Sequence, residues 1–476
     1  MASTKDCACA GAGAGVVVLF PLMAHGHMNP CLYLARLLST RYPSLSFILL
    51  TTSGNLPHLS RCQLPLNIRA VGLPFHPADH DLPPDADTTF ALPQNLVTRF
   101  NHAVQDSLPT PFRDYLATLL AADSPLLCLI ADMFLAWTAP IAEELGVFHA
   151  TFYSSGPYAM SIYNSIWINL PHADGRDGDG DEIAVPGVPG VTVLRRQLAP
   201  NMRAAESMPD HPNCRFVRRQ AECYRHSRAF LWNTAEAIEK PFLDLWAKSN
   251  GKPVFAVGPL FAAAGGRGTV VDNRDVAAEC LAWLDRHSPR SVVYVSFGSQ
   301  NWLTPEEAAE LAAALERKAR PFLWAAPAVN QAPPHAARRQ GISMVARGWV
   351  PQTAILGHPA VGAFVSHGGW NSTLESLGFG VPVVFRPIGA EQFCNEKLVV
   401  EVLGAGAATA GRAAETAEVL EEVMGDGERG REVRRRSKEI AAALAAAVAD
   451  GNDGGDGVGE SLRALDEFMS LVSGRR

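Results

Sequence analysis

Short apolar runs alternate with longer stretches of helical periodicity through most of the chain. In the first half the runs are GVVVLFPLM (15–23), SLSFILLTT (44–52), NIRAVGLPF (67–75), SPLLCLIAD (124–132) and FHATFYSS (148–155). In the second half they are SVVYVSFGS (291–299), PFLWAAP (321–327), GAFVSH (362–367) and VPVVFRP (381–387). Unbroken Val/Ile/Leu runs, as opposed to alternating ones, mark strands covered on both faces. Their interleaving with helical patterns marks parallel β-α-β units. The pattern therefore predicts an α/β chain with two doubly wound Rossmann-like domains. The boundary falls in AVGPLFAAAGGRGTVVDNRD (Ala256 to Asp275), where Gly, Pro and small residues interrupt the periodicity as a linker does.

Length and composition fit this reading. The 476 residues suffice for two or three full cores, and 47% hydrophobic with 19% charged residues is ordinary globular composition. A net charge of -7 argues against a nucleic-acid partner, which needs a clustered basic face. Nine scattered cysteines without a CxxC pair speak against a disulfide framework or a zinc site, so reduced thiols in a cytosol are expected. The opening MASTKDCACAGAGAG lacks the basic start and apolar core of a signal peptide, and VVVLF is too short to span a bilayer. The expectation is a cytoplasmic monomer without integral membrane contact.

Three glycine-rich stretches carry no chemistry. GAGAG (11–15) precedes the first strand, whereas a dinucleotide loop follows a strand and opens a helix. The Asp-x-Asp spacing in GRDGDGDE (Gly175 to Glu182) fails as a calcium loop, because Glu182 takes the glycine position and Val188 the closing glutamate. Together with DGNDGGDG (Asp450 to Gly457) it reads as a solvated acidic loop, and no metal is expected.

HGGWNSTLESLGFGVP (His367 to Pro382) is the informative stretch. As plain structure, Ser372 and Glu375 form a capping-box pattern and Gly378 or Gly380 a helix stop. That leaves His367, Gly368, Gly369, Trp370 and Asn371 without a task. As a site, the glycines let backbone approach a ligand, and free N–H groups at the helix start favour an anion. Asn371 and Ser372 add side-chain donors, and His367 ends a buried strand where ligands of open α/β sheets bind. A diphosphate is the expected guest.

Upstream lies WVPQTAILGHPAVGAFVSHGGWN and downstream RPIGAEQ. From Trp349 to Gln392 the text resembles the signature box of the plant secondary-product UDP-glycosyltransferases, with W-x-P-Q, H-x-G-W-N-S, the following glutamate, G-V-P and the closing acidic-Gln pair. FPLMAHGHMNPCLYLARLL, LIADMFLAWTAPIAEELGV, AFLWNTAEAIEKPFLDLW, VFAVGPL and CLAWLDRHSPRSVVYVSFGSQ extend the resemblance over most of the chain. It implies the GT-B architecture: an acceptor-binding domain over 1–255, a linker over 256–275, a UDP-sugar-binding domain over 276–457, and a C-terminal helix (458–476) packing back on the first domain.

Carried over residue by residue, the resemblance implies that Trp349 stacks on uracil with Gln352 beside the nucleoside. Glu375 holds the ribose hydroxyls, as a carboxylate can accept from two vicinal hydroxyls. Ser299, His367, Asn371 and Ser372 contact the diphosphate. Glu391 and Gln392 hold the sugar hydroxyls, and Trp370 and Ser154 lie beside the sugar. His27 and Asp132 are implied as base and orienting carboxylate. His27 lies just after one strand and Asp132 ends another, and a carboxylate on one imidazole nitrogen fixes the tautomer and stabilises the imidazolium. His25 competes for the role, two positions earlier.

The chain departs from the pattern in places. Glu391 stands where aspartate is commoner, L-P-x-G-F before the box is missing, and the segments on either side of the box are trimmed. The expected activity is inverting, metal-independent transfer of a sugar from UDP-glucose, a co-substrate and not a cofactor, to a small lipophilic phenolic, flavonoid or terpenoid. The alternatives are a UDP-sugar sensor without turnover, and a nucleotide-sugar hydrolase or epimerase of the same fold.

Overall fold

The computed structural model describes residues 15–90, 92–173, 182–208, 210–263, 274–300, 303–326, 342–451 and 457–474. The acidic stretch 174–181, residues 452–456, most of the glycine run at 11–15, the middle of the linker and the segment before the signature box lie outside them. The first lobe is built on β1 (Val16–Phe20), β2 (Ser46–Thr52), β3 (Ile68–Leu73), β4 (Leu126–Asp132) and β5 (His149–Tyr153). A small antiparallel hairpin, β6 (Glu182–Ala184) with β7 (Thr192–Leu194), stands apart, and β8 (Ala229–Trp232) and β9 (Val254–Ala256) complete the sheet. Its seven strands run in the order β3-β2-β1-β4-β5-β8-β9, all parallel.

The second lobe holds β10 (Val292–Ser296), β11 (Phe322–Ala326), β12 (Ser343–Arg347), β13 (Val361–Ser366), β14 (Val383–Phe385) and β15 (Gly406–Ala408). These form a parallel sheet in the order β12-β11-β10-β13-β14-β15. Both orders step outward from a central strand and reverse there, which opens a crevice at the carboxyl ends of β1/β4 and β10/β13.

The strand composition follows from burial on both faces. In β1, Val17 and Leu19 enter one core while Val18 and Phe20 enter another, as the alternation of side chains along a strand requires. In β10, Val293 and Val295 face one layer of helices and Val292 and Tyr294 the other. No polar face remains, so the strands read as continuous apolar text. Seven cysteines fall among the described residues, and all are free thiols. No helix among these residues is long and apolar enough to cross a membrane.

The polypeptide passes between the lobes twice. It leaves the first sheet after β9 and enters the helix Leu260–Ala263. It returns at its end, where the helix Glu460–Ser473 packs on the first sheet through Phe468, whose ring lies 5.6 Å from Phe255 and 6.2 Å from Phe148. Asp466 on that helix accepts from Arg41 Nε (3.1 Å) and from the Tyr42 hydroxyl (2.5 Å). The two passages touch: the buried Ser461 hydroxyl donates to the Gly258 carbonyl at 2.6 Å.

Candidate active site

A cavity of about 980 Å³ opens between the carboxyl edges of the two sheets and is lined from both lobes. On the first lobe, Asp132 is the last residue of β4, and its Oδ1 accepts the Phe134 amide at 2.9 Å, which fixes the carboxylate. His27 sits in the first turn of the helix His25–Arg41. The Ala24 backbone caps that turn in place of a polar side chain, so no capping signal precedes it.

Asp132 Oδ2 lies 2.8 Å from His27 Nδ1. An ionised carboxylate only accepts, so Nδ1 carries the proton and Nε2 is left with a lone pair. Burial presses the His27 imidazole down, but the Asp132 charge and hydrogen bond, helped by the Glu391 charge, outweigh it and leave it above the ordinary histidine range. Ser154 Oγ is 3.2 Å from the same Nδ1, so this serine attends the histidine directly. His25 points elsewhere: its ring stacks on Phe90 (4.7 Å) and His58 (5.3 Å) and meets the Trp349 ring edge-on (5.0 Å, 87°).

Across the cavity, β13 ends in His367 and the chain turns through Gly368 and Gly369 into the helix Trp370–Gly378. The expected capping box does not form. Gly369 is the N-cap without a side-chain bond, so Ser372 lies inside the first turn and its hydroxyl accepts from Gln352 Nε2 at 2.9 Å. The backbone amides of that first turn have no carbonyl one turn earlier and are free to meet an anion.

His367 shows why the glycines are there. A methyl group on Gly298 would lie 2.8 Å from His367 Nε2, and one on Gly369 would lie 2.6 Å from it. The imidazole is thus wedged between two glycine backbones, and burial pushes it down to about 4. At neutral pH it is an uncharged donor and acceptor. Ser299, one residue beyond Gly298, lines the same cavity.

Beside this mouth, Gln352 Nε2 also donates to Glu375 Oε2 (2.8 Å), while its Oε1 accepts from the Tyr294 hydroxyl (3.1 Å). Burial pushes the Glu375 carboxyl up to about 7, partly offset by Gln352. Trp349, Gln352, Ser372 and Glu375 all line one end of the cavity.

Three of the residues identified from the sequence are engaged across the gap between lobes. The Trp370 indole N–H donates to the Asn233 carbonyl (2.8 Å), with the ring 2% exposed. Asn371 Nδ2 donates to the Gly26 carbonyl (2.6 Å), and its Oδ1 accepts from Asn233 Nδ2 (3.4 Å). Asn371 is therefore a bridge between lobes, an engagement the sequence reading did not contain. Glu391 accepts from the Ser155 hydroxyl at 3.4 Å, and burial holds its carboxyl above the usual carboxylate range. Gln392 Oε1 accepts the amides of Ile388 and Gly389 (both 2.9 Å), so its oxygen holds the loop and its amide nitrogen remains. Asn233, which the sequence reading missed, follows β8 at the carboxyl edge of the first sheet. Its place just past the carboxyl end of a strand is the signal that could have found it.

This geometry can be set beside known proteins. Residues 265–437 match the family model described as UDP-glucoronosyl and UDP-glucosyl transferase. Crocetin glucosyltransferase 3 of Crocus sativus is 36% identical over 418 residues, covering 81% of this chain and 84% of that protein. The chain belongs to the plant family 1 UDP-glycosyltransferases. Scopoletin glucosyltransferase of Nicotiana tabacum is 32% identical, covering 82% of each. Among solved structures, a Glycyrrhiza uralensis glycosyltransferase complexed with glycyrrhetinic acid 3-O-monoglucuronide superposes with a TM-score of 0.81 at 25% identity, over 97% of this chain and 96% of that one. An indoxyl-glucosylating enzyme of Polygonum tinctorium gives 0.77 at 27% identity, over 98% and 100%. The two parallel-sheet lobes are the GT-B arrangement of this family, and the chain is a UDP-sugar-dependent glycosyltransferase.

Proposed function

We propose that this glycosyltransferase inverts the anomeric centre as it moves glucose from UDP-glucose to a hydroxyl of a small lipophilic plant metabolite, in the phenolic, flavonoid or terpenoid class. The observation that carries the reading is the Asp132-oriented His27 facing, across one cavity, the glycine-lined mouth at His367. His27 Nε2 takes the proton from the acceptor hydroxyl as its oxygen bonds to the anomeric carbon. The bond from that carbon to the diphosphate oxygen breaks, and its electron pair leaves with UDP. Asp132 stabilises the imidazolium. The first-turn amides of the helix Trp370–Gly378, with Ser372, Ser299 and His367, meet the charge developing on UDP. Glu375 accepts from the ribose hydroxyls, Trp349 and Gln352 hold the uracil end, and Glu391 and Gln392 the glucose. Trp370 and Asn371 hold the lobes together around the sugar. The chain's own side chains and backbone amides supply every step, with no metal. The odd, scattered cysteine set adds a cytosolic setting to the proposal, and we take the working unit to be a monomer.

UDP release from UDP-glucose with and without pooled phenolic and terpenoid acceptors tests the reading. Acceptor-dependent release is expected. Release without acceptor would replace transfer by hydrolysis, and saturable binding without release would make the chain a sensor.

The ionisation of His27 gives a second check. A base works deprotonated, so kcat/KM rises with pH through an inflection above the ordinary histidine value. Asp132→Asn removes the charge that holds the imidazole up, so the inflection moves to lower pH while kcat falls. An unmoved inflection would reject this pairing. Glu375→Ala is expected to weaken UDP binding by about tenfold to a hundredfold, the scale of a charged hydrogen bond. Ribose hydroxyls favour the ionised carboxylate, so wild-type affinity for UDP falls as pH drops through about 7, and calorimetric titration of the variant should lose this dependence.

A further inference from the structure

A fully buried carboxylate, Glu239, lies outside the cavity and takes no part in the steps above. It stands at a kink (φ −138°, ψ 17°) in the helix Glu236–Asn250. Its Oε1 accepts the Tyr158 amide at 3.0 Å, and its Oε2 accepts the Thr234 hydroxyl at 2.5 Å. Neither partner is charged, and burial pushes the carboxyl up to about 7, partly offset by these two hydrogen bonds. Burying a carboxylate without a cation is costly, and the two groups it holds explain why it is there.

Tyr158 is the second residue of the helix Pro157–Asn169, whose N-cap is Gly156. A Ser, Thr, Asp or Asn at that position would satisfy the first turn locally. Here a glycine is needed instead, because a methyl group on Gly156 would stand 2.6 Å from Glu239 Oε1. The cap thus comes from 81 residues away. A local cap stabilises a helix; a remote one also fixes where the helix begins relative to another element. That element is the turn at Thr234.

β5 and β8 are neighbours in the first sheet, and beyond their last paired residues the Asn233 amide donates to the Tyr153 carbonyl (2.9 Å). Past that bond the two chains part. Ser154 and Ser155 meet His27 Nδ1 and Glu391 Oε1 (3.2 and 3.4 Å), while Asn233 meets Trp370 and Asn371 of the second lobe. Glu239 rejoins the two turns beyond the ladder. We propose that Glu239 is a positioning residue for the transfer: with Thr234 it ties the Ser154–Ser155 turn, which seats the base and reaches Glu391, to the turn that engages Trp370 and Asn371. Base and sugar are thereby held in one register. This rests on the roles proposed for His27 and Glu391, and adds the link that aligns them.

Variants of Thr234 separate this tie from plain helix capping. Thr234→Val deletes the bond to the second turn and leaves the Tyr158 cap in place, whereas Thr234→Ser keeps the hydroxyl. Glu239→Ala removes both bonds, and Glu239→Gln can still make both. UDP release from UDP-glucose is measured for each with a phenolic acceptor that the wild type turns over. Expressing kcat per UDP-binding site, titrated by calorimetry, keeps unfolded protein out of the comparison. Thr234→Val and Glu239→Ala are expected to lower kcat by about tenfold to a hundredfold, the scale of a misplaced reacting group, with the dissociation constant of UDP unchanged. Thr234→Ser and Glu239→Gln are expected to stay within about threefold of the wild type, no more than one neutral hydrogen bond contributes. A Thr234→Val enzyme that loses thermal stability but keeps its kcat would show that Glu239 only caps a helix, and the inference fails. It fails too if UDP affinity drops in step with kcat, or if the serine and glutamine variants are as slow as the truncations. Should Glu239→Ala not fold, the Thr234 pair decides. A wild-type enzyme without acceptor-dependent release would sink the transfer reading itself, and this inference with it.

Discussion

Replacing His27 by alanine is expected to lower turnover by about two orders of magnitude or more, the usual contribution of a positioned general base, while UDP affinity stays near the wild-type value. The asymmetry follows from where the group sits. Its Nδ1 is held by Asp132 on the first lobe, and the residues around the expected uridine, Trp349, Gln352 and Glu375, lie on the second. Loss of the imidazole removes the proton acceptor without touching that lobe's hydrogen bonds. The residual rate would come from positioning and from stabilisation of the departing UDP. The measurement is kcat with a hydroxyl acceptor alongside UDP titration by calorimetry. A variant with full activity would eliminate His27 as the base, and His25, packed against Phe90 and Trp349, would have to be reconsidered.

The second large effect is expected from a single methyl group. Gly298 has a φ of +76°, in the left-handed region, and its added Cβ would stand 2.8 Å from His367 Cε1 and Nε2. Gly298→Ala therefore combines backbone strain of about 1–2 kcal/mol with displacement of the imidazole from the diphosphate mouth. We expect stability to fall by about 1–3 kcal/mol and UDP to bind at least about tenfold more weakly. A double-mutant cycle separates the causes. With His367→Ala already in place the collision has no partner, so Gly298→Ala should cost less stability than in the wild type. Strictly additive losses would show that the ring is not what the glycine accommodates.

The architecture was readable from the sequence because burial on both faces leaves a plain signal. Nine of the strands correspond to the nine apolar runs. What escaped were six short strands: β8, Ala-Phe-Leu-Trp, inside the first sheet, the hairpin β6 and β7, and the edge strands β9, three residues, β12, half-exposed SMVAR, and β15, Gly-Ala-Ala. None offers enough β-branched length for periodicity to register. Around the cavity, residue type and strand-end position pointed to His367, whereas His27 and Asp132, which the structure brings to 2.8 Å of each other, were implied by the family resemblance. The engagement of Trp370 and Asn371 did not follow from their surroundings, because their partners Asn233 and Gly26 are 137 and 345 residues away. The capping box misled for a related reason. Ser372 and Glu375 have the right spacing, but Gln352 takes both side chains, which a local reading does not contain.

The seam at Ser461 and Gly258 has a practical corollary. Both passages of the polypeptide are fastened to each other there, and Asn233, which bonds Trp370 and Asn371 of the second lobe, also accepts the Leu260 amide two residues beyond Gly258. A chimera that grafts a relative's donor half onto this acceptor half needs two splices instead of one, because residues 457–474 must remain with the amino-terminal portion they clasp. A single exchange near residue 270 would bring a foreign tail onto Arg41 and Tyr42, and the hybrid would lose this seam before its chemistry could be compared.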